Sequence, residues 1–495
     1  MKLHINGEIN EYYVQTLCMI FFPGEKFSGE EQEGAPVLYL DVTEEMDAIT
    51  AKARLVYQGK ETFANKEIVL AGEFTKDRAR KVVIGHAVLS AASEMLHYRP
   101  SWGMLTGVRP SKVATELLMA GMSKTKVRKA LNHHYMVIPK KAALATDVAL
   151  REQQIIGTPH SRDCSVYISI PFCPTRCSYC SFVSYTSKRL LSLIPEYLVL
   201  LCQEIREKFA IIRELGLNVL TVYIGGGTPT ILDAVQLRTL LSTIRECTDV
   251  SALREFTLES GRPDTIDAEK MAIAKAYGVT RVCVNPQTLC DDVLKGVGRC
   301  HSAQDFYRAY DIARQSGIDC INTDLIVGLP GDTFATFAQT YDEILRLDPE
   351  NITVHTFCVK KAAEILREGK RVYNLRGGDA GKCVDYSQFR AQEAGYQPYY
   401  MYRQKNMVGN FENVGFAKPG TECLYNIYMM EEVHSIFAAG AGAVTKLVDY
   451  AAPGSGKKSV IRRLFNDKYP YEYLNTNGGE SQAKQIVEFY RERGF

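Results

Sequence analysis

Three cysteines stand within eight residues in the stretch IPFCPTRCSYC, at Cys173, Cys177 and Cys180. Pro171, Pro174 and polar neighbours surround them, so the segment reads as an irregular loop that presents thiolates. Structural zinc takes four ligands, usually as two cysteine or histidine pairs. No second CxxC or HxxxH recurs, and His160 and His301 are isolated. Three thiolates with one position left open suit an iron–sulfur cubane, whose irons take cysteine ligands. The iron without a protein ligand is then free for an exchangeable molecule. The remaining cysteines differ: Cys18, Cys202, Cys247, Cys283 and Cys320 lie among apolar residues and read as small buried hydrophobes.

The loop follows a strand-like run, CSVYISI (164–170), and similar runs recur. They are NVLTVYI (218–224), LREFTLE (253–259), VTRVCVN (279–285), DCINTDLIV (319–327) and NITVHTFC (351–358), with helix-like sequence between them. One helix is expected from about Leu190 to Gly216, where glycine stops it, and another begins near Asp233. Six strands joined by helices imply parallel pairing. The fold class is α/β. A partial (βα)6 barrel explains the count better than a flat doubly wound sheet, and either puts chemistry at the C-terminal strand ends. There the chain offers the cysteine triad after strand one, Gly225, Gly226, Gly227 and Thr228 after strand two, and Glu259 ending strand three. Gln287 lies beyond strand four, Asp324 and Gly328 near the end of strand five, and Cys358 at the end of strand six.

The rest of the chain bounds the function class. With 59 Lys+Arg against 57 Asp+Glu, the net charge of +2 argues against a dedicated nucleic-acid or anionic-membrane surface. No run of about 18 apolar residues suggests a membrane span, and the N-terminus does not read as a signal peptide. The 14 cysteines are scattered over 495 residues as free thiols would be, so a reducing, cytoplasmic location is expected.

Three regions are expected: an accessory α+β domain over 1–158, the barrel over 159–380, and a mixed C-terminal segment over 381–495 that covers the substrate. In the first, HINGEINEYYVQTLCMIFFPG and PVLYLDVTEE read as strands, NKEIVLAGEF adds another, and a helical series runs from about Lys76 to Gln154. Trp102, the single tryptophan, reads as a core residue, and KTKVRKALNHH (124–134) as a solvated basic helix face. In the last region YQPYYMYRQKNMVGN could cover a pocket for a large planar substrate. Arg403, Lys405 and Lys418 are the candidate cations there.

CxxxCxxC after strand one, with Tyr179 before its last cysteine, and GGGTPT after strand two resemble the radical S-adenosylmethionine (SAM) superfamily. YISIPFCPTRCSYCSF, YIGGGTPT, NPQTLCDDVLKGVGRCHS, NTDLIVGLPGDTFATF and ENVGFAKPGTECLYNIYMMEE resemble, more closely, the oxygen-independent coproporphyrinogen III dehydrogenase group and its relatives, the radical-SAM haem chaperones. The long N-terminal region is similar to the longer, Firmicutes-type branch. This resemblance implies that Cys173, Cys177 and Cys180 ligate a [4Fe–4S] cluster whose open iron is chelated by SAM. It implies SAM contacts from Gly226, Gly227, Thr228, Glu259, Arg299 and Asp324. Further contacts, including those to a possible second SAM, fall on Tyr167, Tyr179, Gln287 and Cys358. It also implies a tetrapyrrole substrate, coproporphyrinogen III or haem, and an electron donor such as flavodoxin or ferredoxin.

Simpler roles compete at several positions. Glu259 could cap its strand end, Arg299 could be a solvated surface residue, and Tyr167 and Cys358 could be packing. His301 and His355 read as structural. Asp324 lies inside an apolar strand, where an unpaired charge would be costly. Two departures bear on the reaction. The decarboxylases carry a further cysteine two residues after the triad where this chain has Phe182, as the chaperones do, and Ser169 replaces the strand-one histidine of both groups. Oxidative decarboxylation of two propionates to vinyls, giving protoporphyrinogen IX, is the first reading. A haem chaperone is the second and a haem-modifying enzyme the third.

Overall fold

A computed structural model describes residues 1–70, 74–180, 184–358, 378–404, 407–452, 458–476 and 482–495. The chain divides into two compact units. One comprises Met1–Leu150 with two later segments, one ending at Gly381 and one spanning Met401–Glu412; the other comprises the bulk of residues 151–495.

The accessory unit has a four-stranded sheet of β1 (Lys2–Asn6), β2 (Val37–Glu44), β3 (Ala48–Tyr57) and β4 (Lys60–Val69), in that order. β1 pairs parallel with β2 and the others are antiparallel. The stretch expected as a strand after Asn6 is instead a helix, Glu11–Phe21. Asn10 caps it by accepting from the Tyr13 amide at 3.1 Å, and Val14, Leu17, Cys18 and Phe21 fall on one buried stripe. Four further helices follow, Lys76–Leu96, Ser111–Met119, Lys124–Tyr135 and Pro139–Ile156. Trp102 is fully buried, as its core reading expects. Its indole N–H donates to Glu412 Oε2 at 2.7 Å, while Lys141 Nζ donates to Glu412 Oε1 at 2.5 Å. Both charged side chains of that pair have 0% exposure.

The second unit is built on an eleven-stranded sheet. Its centre is β5 (Asp163–Ile170), β6 (Asn218–Gly226), β7 (Glu255–Glu259), β8 (Arg281–Cys283), β9 (Cys320–Val327) and β10 (Asn351–Thr356). Each strand pairs parallel with the next. Helices Ile194–Glu214, Ala234–Cys247, Ala268–Ala276, Ala303–Gln315 and Phe334–Leu347 lie between them in the chain. Asp233 and Gln236 form a capping box at one helix start, and Gly216, at φ +61°, follows the end of another. No pairing among the described residues closes β5 onto β10, so the sheet is open, as a partial barrel requires.

The strands after residue 381 do not form a layer of their own. β12 (Asn413–Ala417) pairs antiparallel with β10, with β11 (Gln397–Tyr402) outside it. On the other edge β13 (Ser435–Ala439) pairs parallel with β5, followed by β14 (Val444–Asp449) and β15 (Val460–Phe465). A buried sheet edge must have its backbone groups paired, and these strands pair them. At the N-terminal ends of the parallel strands, Glu255 accepts from the Leu424 and Tyr425 amides at 2.8 and 3.2 Å, capping helix Leu424–Glu431. Arg281 pairs with Glu255 at 3.3 Å and donates to the Thr421 carbonyl at 2.7 Å. This end of the sheet is thereby sealed, leaving the other for chemistry. No described helix is long and apolar enough to cross a membrane.

Removing one partner of a fully buried ion pair costs about 3–5 kcal/mol, because the other charge is stranded. Lys141→Met should lower the unfolding free energy by that amount in chemical denaturation followed by Trp102 emission. Lys141→Met with Glu412→Gln, which keeps an acceptor for the indole, should recover part of the loss.

Candidate active site

The cysteine loop leaves β5 and is pinned at both ends. The Cys173 amide donates to the Tyr185 carbonyl at 3.1 Å, the Tyr185 amide to Pro171 at 2.9 Å, and the Ser178 amide to Val297 at 3.0 Å. Cys173 and Cys177 are buried and Cys180 half-buried. Thr228 Oγ1 lies 3.2 Å from Cys173 Sγ. Arg262 donates through Nη1 to Cys177 Sγ at 3.5 Å and through Nη2 to Thr175 Oγ1 at 2.8 Å. Burial pushes the Cys173 thiol up to about 11; Thr228 opposes this, while Cys180 and Cys177 add to it. Among the described residues no three His, Cys, Asp or Glu side chains converge as the ligands of a single ion do. Separate irons of a cubane require no such convergence.

The glycine turn at the end of β6 is locked to the start of this loop. The Gly227 amide donates to Ile170 at 2.8 Å and the Thr228 amide to Phe172 at 2.7 Å. Gly226 has φ +106°, and a Cβ on Gly227 would stand 2.4 Å from the Phe172 carbonyl oxygen. Only glycine permits that approach.

Across the interior stand two carboxylates. Glu259, half-buried at the end of β7, is pushed up to about 7 by burial and by Asp324, against hydrogen bonds from Tyr223 and the Gly226 amide. Asp324 lies below the usual carboxylate range. Burial works against its charge, but it is held by His355 at 3.5 Å, by Asn322 Nδ2 at 2.7 Å and by Thr353. Asn285 Nδ2 also donates to it at 2.9 Å. Tyr167, Tyr223 and Tyr425 stack beside Glu259, with centroids 6.2 Å (167–223) and 4.5 Å (223–425) apart.

Two arginines face the cysteine loop. Arg262, 3% exposed, pairs with Asp264 at 3.0 Å. Arg299, 8% exposed, hydrogen-bonds no carboxylate among the described residues: it donates to Tyr179 OH at 3.1 Å and to the carbonyls of Gly261 and Asn285 at 3.2 Å each, with Asp264 and Cys177 near enough to favour its charge. A buried guanidinium whose hydrogen bonds all run to neutral groups can still take a directly bonded anion. Three thiolates on a cluster, or the carboxylate of a bound amino acid, supply one. The glycine cradle, the two carboxylates and the arginine with no bonded anion therefore fit a [4Fe–4S] cluster with SAM.

The structure brings most of the expected positions together. Tyr179 bonds Arg299, Thr228 touches Cys173, Gly226 bonds Glu259, and Tyr167 flanks Glu259. Gln287 adopts φ +68°, donates its amide to the Asp324 carbonyl at 3.0 Å, and has a buried side-chain oxygen without a partner. Cys358 lies two residues beyond β10 on the same rim. Lys418 belongs elsewhere: it pairs with Asp348 at 2.8 Å, at the N-terminal end of β10. Arg403 belongs to the accessory unit, and Phe182 and Lys405 lie outside the described residues. Sequence reasoning missed Arg262, Asn285, Tyr223 and Tyr425, and read His355 as merely structural. Arg262 and Asn285 immediately follow strands three and four, a position signal that points to them; Tyr425 carries no such signal.

The radical SAM superfamily profile matches residues 167–344. Over 470 residues, 93% of this chain and 92% of the relative, the sequence is 34% identical to the oxygen-independent coproporphyrinogen-III oxidase-like protein HemZ of Bacillus subtilis. It is 35% identical over 280 residues to the heme chaperone HemW of the same organism, covering 56% of this chain and 70% of HemW. Among solved structures, coproporphyrinogen III oxidase HemN of Escherichia coli superposes with a TM-score of 0.50 at 21% identity, over 68% of this chain and 73% of HemN, a likeness of fold.

Because the Glu259 carboxyl is raised, its neutral form is favoured in the fold. Its contribution to stability is full below the unfolded carboxyl value and is lost as pH rises through about 7. Above that pH the ligand-free protein should be stabilised by Glu259→Gln, and thermal melts from pH 5 to 8 would show the two proteins diverging. SAM should bind more tightly as Glu259 ionises. Its Kd should rise by up to about tenfold per pH unit below 7, a slope that Glu259→Gln removes.

Proposed function

Because the chain belongs to the radical SAM family of oxygen-independent coproporphyrinogen-III oxidase-like proteins, we propose that it converts two propionates of coproporphyrinogen III to vinyls. Likeness to HemZ along 93% of the chain supports this substrate class. The observation that carries the reading is the convergence of the cysteine triad, the glycine turn, Arg299 and the Glu259–Asp324 pair on one rim. When bound, the [4Fe–4S] cluster and SAM would supply one 5′-deoxyadenosyl radical per SAM cleaved, so each propionate, giving up one β-hydrogen atom, CO2 and one electron to a one-electron acceptor, would consume one SAM.

The chain's own residues bind, orient and shield. Cys173, Cys177 and Cys180 hold the metal atoms, and the buried Arg262 and Arg299 offset the thiolate charge. Arg299, steered by Tyr179, takes the SAM carboxylate, and Glu259 accepts a hydrogen bond from its amino group. The backbone of Gly226 and Gly227 lies flat enough for the methionine end to approach. Asp324, held ionised by His355, Asn322 and Asn285, serves the ribose or sulfonium side. The Tyr167–Tyr223–Tyr425 stack fills the interior beneath and takes the place of water there. A donor such as flavodoxin or ferredoxin provides single electrons.

Phe182, where a fourth nearby cysteine would stand, and the likeness to HemW favour a second reading. In it the same site holds haem for transfer without decarboxylation. One experiment separates the two. The reconstituted protein is incubated anaerobically with SAM, a reductant and coproporphyrinogen III, and the porphyrins are chromatographed. Mono- and divinyl products that vanish in Cys177→Ala establish the decarboxylase. Intact substrate beside cleaved SAM, with stoichiometric haem binding, establishes the chaperone.

A further inference from the structure

The accessory unit contains a cavity of about 410 Å³ that no residue of the cluster site lines. That volume lies in the range of small-molecule sites, roughly 300–1,000 Å³. Its walls are mainly apolar, from Tyr13, Met19 and Ile20 of helix Glu11–Phe21 and from Val108 and Met407 opposite. Lys81 and Arg403 also line it, and no described Asp or Glu does.

Arg403 is the unusual group. It is 4% exposed, and its Cζ stands 5.7 Å over the Trp102 ring. Its bonds run to neutral acceptors, the Leu105 carbonyl and the Asn410 carbonyl and side chain, while Nε has no partner. The neighbouring Glu412 carboxylate already receives Lys141 and the Trp102 indole. Two buried cations thus share one carboxylate. Burial pushes the Arg403 guanidinium down to about 10 even with Glu412 and Tyr98 opposing it. Arg403 lines an apolar cavity, and a buried cation that shares its neighbouring carboxylate with Lys141 is costly until a further anion completes it.

We propose that this cavity binds an amphipathic carboxylate, with the carboxylate on Arg403 and an apolar body against helix Glu11–Phe21. The site is independent of the cluster chemistry. The shared chemistry fits an alkyl carboxylate or the propionate edge of a tetrapyrrole.

Trp102 is the single tryptophan of the chain and lies under Arg403, so its emission reports on this cavity through that arginine. Full-length protein titrated with dodecanoate should show a saturable change in that emission, and dodecanol should bind at least about tenfold more weakly. Arg403→Gln should weaken dodecanoate by a similar factor. Thr16→Phe, which fills the cavity and spares the arginine, should abolish binding while the free protein keeps its native emission. Coproporphyrin III displacing dodecanoate would support the site with a tetrapyrrole occupant; failure to displace it would support an alkyl carboxylate. Equal affinity for dodecanol, no saturable change with either acid, or binding unaltered in both variants would overturn the proposal.

Discussion

Charge balance at the C-terminal rim of the parallel sheet is the constraint on which the site depends. Arg262 and Arg299 are buried beside the cysteine loop with one carboxylate, Asp264, between them. Across the interior, Glu259 and Asp324 are held close enough for each to disfavour the other's charge. Arg262 and Asp324 have partners within the protein, which leaves Arg299 without a bonded anion among the described residues and Glu259 held toward its neutral form. A ligand that carries a carboxylate together with an amino group and a sulfonium can meet both, and SAM has those groups on its methionine portion. The ligand-free site stores unfavourable electrostatics that binding relieves, so affinity and placement come from the same groups.

The fold earns this arrangement by sealing everything else. At the N-terminal strand ends Glu255 caps helix Leu424–Glu431 and pairs with Arg281, so that end is filled by protein. The same cap delivers Tyr425 to the interior, where it completes the stack with Tyr223. At the open end, the turn after β6 is bonded to the residues that lead into the cysteine loop. The Gly227–Phe172 approach leaves no room for a side chain, so turn and loop move as one piece. Gln287 at φ +68° is a backbone conformation that non-glycine residues rarely adopt, and the surrounding bonds to Asp324 and Ile326 hold it there.

The central sheet was legible because its signals are local: short β-branched runs, helical spacers, and polar residues at each strand's end. The cysteine spacing and the glycine turn are local in the same sense. The helix Glu11–Phe21 was misread because its aromatic and β-branched residues suggest a strand, although Asn10 and the period of Val14, Leu17, Cys18 and Phe21 carry the helical signal. What sequence could not supply is partnership across long separations. The pairing of β12 with β10 and of β13 with β5 is chosen by the need to cover edges, not by either strand's own residues. Tyr425 owes its place to such a tertiary choice, in the helix that follows β12. His355 gains its role only from standing beside Asp324 on the neighbouring strand.

The central claim is that three thiolates hold a cluster with one iron left for SAM, whose carboxylate Arg299 completes. Electron paramagnetic resonance of the anaerobically reduced, reconstituted protein, recorded with and without SAM carrying a 17O-labelled carboxylate, addresses it directly. The account predicts a [4Fe–4S] signal that shifts on SAM addition and broadens with the label, and that does neither in Arg299→Met. A cluster signal indifferent to SAM, or one unchanged by the label, would contradict it.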